Sequence, residues 1–179
     1  MKKQTEIRLS GSGGQGIITA GIILAEAALY DGLNALQSQS YGPEARGGSS
    51  KAEVIISTHE INYPKVTSPN ILVSLTQDSY DKYKAGVHAD SIVILDESIE
   101  ADIDAEYTVY QIPVMEIART QLRPVVANIV TLGALQKLTN CVSYASLEQA
   151  VLDRVPKGTE ALNKKALEAG AQAVSKFIS

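Results

Sequence analysis

The chain has 179 residues, 45% of them hydrophobic and 20% charged, long enough to bury one sizeable core, so a single domain over residues 1–179 is expected. Its 16 basic against 20 acidic residues give a net charge of -4, and no basic run exceeds Lys2-Lys3 or Lys164-Lys165, which argues against nucleic acid and anionic membrane as partners. The opening Met1-Lys2-Lys3 lacks the apolar stretch of a secretory signal and no apolar run reaches membrane-spanning length, so a cytoplasmic location is expected.

In chain order, Thr5 to Ser10 alternates apolar and polar residues and ends at a glycine cluster, as an opening strand should. From Ile17 to Tyr30 the sequence is apolar on nearly all sides and stops at Asp31-Gly32, which predicts a helix buried against a sheet or another chain. Further strands are predicted over Leu33–Tyr41, Ser50–Ser57, Ile71–Leu75, Ser91–Asp96 and Tyr107–Ile112, with a short polar helix near Gln77–Lys84 and an acidic loop Glu97–Glu106 between the last three. Continuous apolar strands belong in sheets covered on both faces.

Beyond Pro113 the pattern is helical: Val114–Gln121, then a stretch from about Asn128 with Ile129, Leu132, Leu135 and Leu138 at three-residue steps. Ser146-Leu147-Glu148-Gln149 has the form of a capping box, and Thr159 onward carries Leu162, Ala166, Ala169, Ala173 and Phe177 on one stripe. The expected fold class is α/β, a Rossmann-like three-layer sandwich with a mostly parallel central sheet flanked by helices. The second and third strands are close enough in sequence to pair antiparallel.

Chemistry-bearing residues are sparse. The one cysteine, Cys141, cannot form an internal disulfide or supply the full set of thiolates that an iron-sulfur cluster needs, and it reads as a buried small residue. His59 and His88 lie outside any metal-ligand spacing and read as surface residues near turns. No metal ligand and no catalytic residue is assigned.

Two loops stand out. Gly11-Ser12-Gly13-Gly14-Gln15-Gly16 falls between a predicted strand and a predicted helix, where glycines turn the backbone tightly and free N–H groups at the helix start face an anion. A dinucleotide site would want an acidic residue at the end of the second strand, where Leu36 to Ser40 stands instead. A P-loop would want Lys after Gly16, where Ile17 stands. Anion binding and simple close packing of helix on strand remain about equally supported by this motif alone. The second loop, Ser38 to Ser50, joins Tyr41-Gly42-Pro43 to Glu44-Ala45-Arg46-Gly47-Gly48, and an exposed Arg46 guanidinium there could hold phosphate or carboxylate, or tie down Glu44. Both loops follow early strands and are expected to converge on one edge of the sheet.

These segments carry a resemblance. The glycine loop, the Ser40–Ser50 stretch and Pro69–Leu75, with Asn128–Gly133 and Asn163–Gly170 further on, resemble the gamma subunit of 2-oxoacid:ferredoxin oxidoreductases along essentially the whole chain, and Tyr41 to Gly48 resembles the 2-oxoglutarate branch. The resemblance implies a multisubunit enzyme that converts a 2-oxoacid and coenzyme A into acyl-CoA and carbon dioxide while reducing ferredoxin. It implies thiamine diphosphate, magnesium and iron-sulfur clusters in alpha, beta and ferredoxin-like delta partners, and ferredoxin met through the complex. The chain itself is then not catalytic alone. Gly11, Gly13, Gly14, Gln15, Gly16, Arg46, Gly47, Gly48 and Asn128 become the candidates for contact with coenzyme A or a partner subunit. A purely structural assembly subunit and a free-standing Rossmann-like nucleotide-binding protein are the competing readings.

Overall fold

The computed structural model describes residues 3–40 and 48–178. Six strands, β1 (Gln4–Ser12), β2 (Asn34–Ser40), β3 (Ser49–Ser57), β4 (Ile71–Ser74), β5 (Ile92–Asp96) and β6 (Thr108–Ile112), form one sheet in the order β2-β3-β1-β4-β5-β6. The β1–β4, β4–β5 and β5–β6 pairs are parallel, whereas β3 lies antiparallel to both neighbours, β2 and β1. The expected α/β sandwich with a mostly parallel sheet is thus observed, and β3 is the one reversed strand among the described residues. A parallel pair needs a crossover between its strands; α2 provides it from β4 to β5, and the acidic loop, which holds no helix, provides it from β5 to β6.

The helices are α1 (Ile17–Tyr30), α2 (Gln77–Tyr83), α3 (Val114–Gln121), α4 (Ala127–Thr139), α5 (Tyr144–Arg154) and α6 (Glu160–Ala173). One sheet face, carrying Ile7, Leu9, Val54, Ile56, Val73 and Ile94, packs against α1 and α3 to α6. Full burial of side chains such as Ile23 and Leu24 stabilises the fold by about 1.5–3 kcal/mol each. The opposite face is covered thinly: Leu72, Val93 and Leu95 meet Tyr80 and Tyr83 of α2 and Ile99 of the acidic loop.

The polar residues of β1 do not face water. Arg8 and Ser10 are buried; the Arg8 guanidinium pairs with Glu53 at 3.0 Å and donates to the carbonyls of Val66, Tyr83 and Ala85. A buried guanidinium is tolerated only when its donors are met in this way.

Two sequence expectations need correction. The helix at α5 begins earlier than the Ser146 capping box: Ser143 is its N-cap, its hydroxyl accepting from the Ser146 N–H at 3.2 Å, and Ser146 sits inside the first turn. Asp31 explains the choice, because its carboxylate accepts from the Ser143 N–H and from both serine hydroxyls, each at 2.6 Å. The last helix ends at Ala173, and Phe177 lies in a separate 3-10 turn, Ser175–Phe177, with its ring on Tyr110 of β6 at 5.3 Å. The buried line of α6 is Asn163, Ala166, Leu167 and Gly170.

Candidate anion site at the carboxyl ends of the strands

The glycine loop caps the carboxyl end of β1, the position where open α/β sheets bind ligands. Gly16 is the N-cap of α1 with φ 70°, no side chain caps the helix, and no acidic residue occupies its first turn. Among the described residues the first N–H groups of α1 therefore have neither an intrahelical partner nor a side-chain acceptor, and the helix end carries roughly half a positive charge. Gly13 and Gly14 form the exposed tip.

Gln15 folds back under that tip. Its Oε1 accepts from the Ser12 N–H at 2.7 Å and its Nε2 donates to Met115 Sδ at 3.6 Å. Gly11 makes room for it, since a Cβ there would stand 2.4 Å from Gln15 Oε1. Asn128, in the first turn of α4, is buried; its Nδ2 donates to the Gly16 carbonyl at 3.2 Å and its Oδ1 accepts from the Ile129 N–H. Asn128 is therefore inside its helix, whose N-cap is Val126, and holds the loop from outside it.

The second loop meets the first as far as its described ends reach. Ser12 of β1 is the register partner of Ser49, and Ser40 of β2 that of Lys51. The Ser50 hydroxyl lies 3.4 Å from the Ser12 carbonyl oxygen, and Gly48 is half-buried beside it. Arg46 and Gly47 lie outside the described residues. A cleft of about 260 Å³ runs between the two loops, lined by Gly13, Gly16, Thr19, Ser40 and Ser50. A second, more apolar cleft of about 310 Å³ opens on the other side of the glycine loop, with Gly14, Gly16, Thr19, Val125, Ile129 and Leu162 in its wall.

A cleft of about 970 Å³ lies between α2 and the acidic loop and is lined by Asp81, Glu100, Asp102, Asp104 and Glu106. Its carboxylates repel phosphate, so chemistry and not volume singles out the glycine loop. Cys141 faces a smaller cleft with Thr5 and Asn70, residues at or just before the amino ends of β1 and β4. Burial pushes its thiol up, as befits an inert cysteine. His59 is exposed and His88 half-buried.

The signal that sequence alone did not carry is the pairing of Gln15 with Met115 and of Gly16 with Asn128, each contact bridging more than ninety intervening residues.

A family model for the pyruvate ferredoxin/flavodoxin oxidoreductases matches residues 6–173. The chain belongs to this family. Within the family it is a gamma-type subunit of a 2-oxoacid:ferredoxin oxidoreductase, and so one part of a multisubunit enzyme. It is 54% identical over 175 residues to the 2-oxoglutarate synthase subunit KorC of Methanocaldococcus jannaschii, covering 95% of this chain and 94% of that one. Its fold matches the gamma subunit of a keto/oxoacid ferredoxin oxidoreductase from Geobacter sulfurreducens with a TM-score of 0.87 and 43% identity, over 95% of each chain. It also matches 2-oxoglutarate:ferredoxin oxidoreductase from Magnetococcus marinus, whose structure holds 2-oxoglutarate, coenzyme A and succinyl-CoA, with a TM-score of 0.90 and 25% identity. All of this chain is covered there, but only 32% of that one, so in that relative the unit is about a third of a longer polypeptide. Among the described residues of the present chain, no helix is long and apolar enough to cross a membrane.

Proposed function

We propose that the chain serves a cytoplasmic oxidoreductase that converts 2-oxoglutarate and coenzyme A into succinyl-CoA and carbon dioxide, the two electrons passing to ferredoxin, and that its glycine loop holds a phosphate of coenzyme A. The 2-oxoglutarate branch is supported by three KorC relatives at 54%, 46% and 44% identity, against 31% for a pyruvate synthase subunit. The observation that carries the coenzyme A reading is the start of α1, with a glycine N-cap, no side-chain cap and no acidic first turn, beside the meeting point of two polar loops.

The chain's own part is binding and orientation. The N–H groups of the first turn of α1 and of Gly13 and Gly14 attract the phosphate, Thr19 offers a hydroxyl at the cleft wall, and the apolar neighbouring cleft accepts carbon-rich parts of the same molecule. Arg46, Gly47 and Gly48 complete the rim in this reading. Gly11, Gln15 and Asn128 shape the loop rather than touch the ligand, because their space or polar atoms are engaged within the chain.

Thiamine diphosphate, magnesium and iron-sulfur clusters belong to alpha, beta and ferredoxin-like partners. The residues here do not fit a cluster: one buried cysteine with a raised thiol pKa cannot replace a set of thiolates. No step of the reaction is assigned to side chains of this chain. The test is to recover the tagged chain anaerobically from its native host and assay for viologen reduction that needs both 2-oxoglutarate and coenzyme A. Co-purifying activity that prefers 2-oxoglutarate over pyruvate supports the reading; activity with another 2-oxoacid overturns the branch.

A further inference from the structure

The glycine loop is tied to the carboxyl end of β5, two strands away, by a chain of polar contacts through Met115, whose side chain also packs against the core. At the carboxyl end of β5, the buried Asp96 accepts from the Met115 N–H through Oδ1 at 2.9 Å. Its Oδ2 accepts from the Ser98 N–H at 3.1 Å and the Ser98 hydroxyl at 2.5 Å, so the carboxylate is locked. Met115, in the first turn of α3, then presents its sulfur to Gln15 Nε2, while Gln15 Oε1 takes the Ser12 N–H. β4 lies between β1 and β5, so the contacts from Gln15 through Met115 to Asp96 link the ends of two strands that are not neighbours.

Physically this is a brace. Without the Met115 contact, one half of the Gln15 amide loses its partner and the side chain has freedom to leave the Ser12 N–H, whose acceptor shapes the turn ahead of Gly13 and Gly14. A helix-terminus site works only when its N–H groups are held converging before the ligand arrives, since a slack loop adds its ordering cost to binding. We propose that Met115, seated by Asp96, is a positioning residue for the coenzyme A site, acting through Gln15 on the geometry of Gly13–Gly16. This inference rests on the reading of the glycine loop as the coenzyme A subsite.

The prediction separates the sulfur's role as an acceptor from its role as bulk. In the assembled complex, Met115→Leu keeps the volume and the backbone N–H to Asp96 but removes the acceptor; Met115→Gln keeps the length and supplies an oxygen. The KM for coenzyme A rises about three- to tenfold in M115L, the loss expected for one hydrogen bond, and returns close to the wild-type value in M115Q, while kcat and the KM for the 2-oxoacid stay put in both. The reverse order, with M115L like wild type and M115Q impaired, assigns Met115 to packing and overturns the proposal, as does a change in kcat alone. Gly14→Asp is measured alongside. A raised coenzyme A KM in G14D with none in M115L sinks the brace and leaves the subsite standing; no effect of either variant sinks the subsite itself.

Discussion

The Asn128 amide donates to the Gly16 carbonyl oxygen at 3.2 Å, and a Cβ on Gly16 would come within 2.6 Å of that same Asn128 nitrogen. A residue in the first turn of α4 thus holds the N-cap of α1, and glycine is required at position 16 twice over, by this close approach and by the left-handed backbone at φ 70°.

Gly16→Ala is expected to destabilise the chain by about 2–3 kcal/mol, roughly 1–2 from the left-handed conformation and the rest from the clash. Asn128→Ala relieves the clash, so in urea denaturation the double variant loses less than the sum of the two single ones. Strict additivity would mean that the two residues do not press on each other.

Gly170→Ala tests the packing of α6 on α4. A Cβ at Gly170 would lie 1.9 Å from the Val130 carbonyl oxygen, and one at Gly133 would lie 2.1 Å from that of Leu167. The helices touch backbone to backbone, so the usual gain of about 1 kcal/mol from replacing glycine in a helix is reversed into a loss of more than about 2 kcal/mol. Thermal denaturation of the purified chain reads the sign directly.

Asp31 gives the acid limb a specific group. Burial raises its pKa, but the hydrogen bonds from Ser143 and Ser146 outweigh burial and bring it below the ordinary 3.8. A depressed folded pKa stabilises the fold above the unfolded value, and the contribution fades as pH falls through that value toward the lower folded one. Asp31→Asn should therefore lower stability near neutrality and flatten its fall below about pH 4, measured by urea midpoints across pH. An unchanged slope would show that Asp31 does not link α1 to α5 in solution.

Much of this architecture was legible in the sequence, because local pattern decides it: alternation marked β1, all-round apolarity marked α1, and the span Val114–Gln121 matches α3 residue for residue. What stayed hidden is tertiary. The insertion of β3 between β2 and β1 depends on register, and the true cap of α5 was decided by Asp31, which accepts from Ser143 at a separation of 112 residues. The glycine loop was visible as a motif, but its bracing by Met115 and Asn128 was not, since single contacts between distant segments leave no periodic trace.

Cys141 should stay unmodified by a thiol reagent in the native chain and react once denatured, because burial both shields the sulfur and pushes its pKa up. Rapid native labelling would show that the amino-terminal end of the sheet opens readily.

The central claim, that the glycine loop takes a phosphate of coenzyme A, is tested most directly by Gly14→Asp in the assembled complex. Among the described residues nothing lies within 4 Å of a Cβ at Gly14, so an aspartate there brings one negative charge to the loop tip. The account predicts that the complex still assembles and that the KM for coenzyme A rises more than about tenfold, the effect of a nearby like charge at partial solvent screening. An unchanged coenzyme A KM in an intact complex would contradict it.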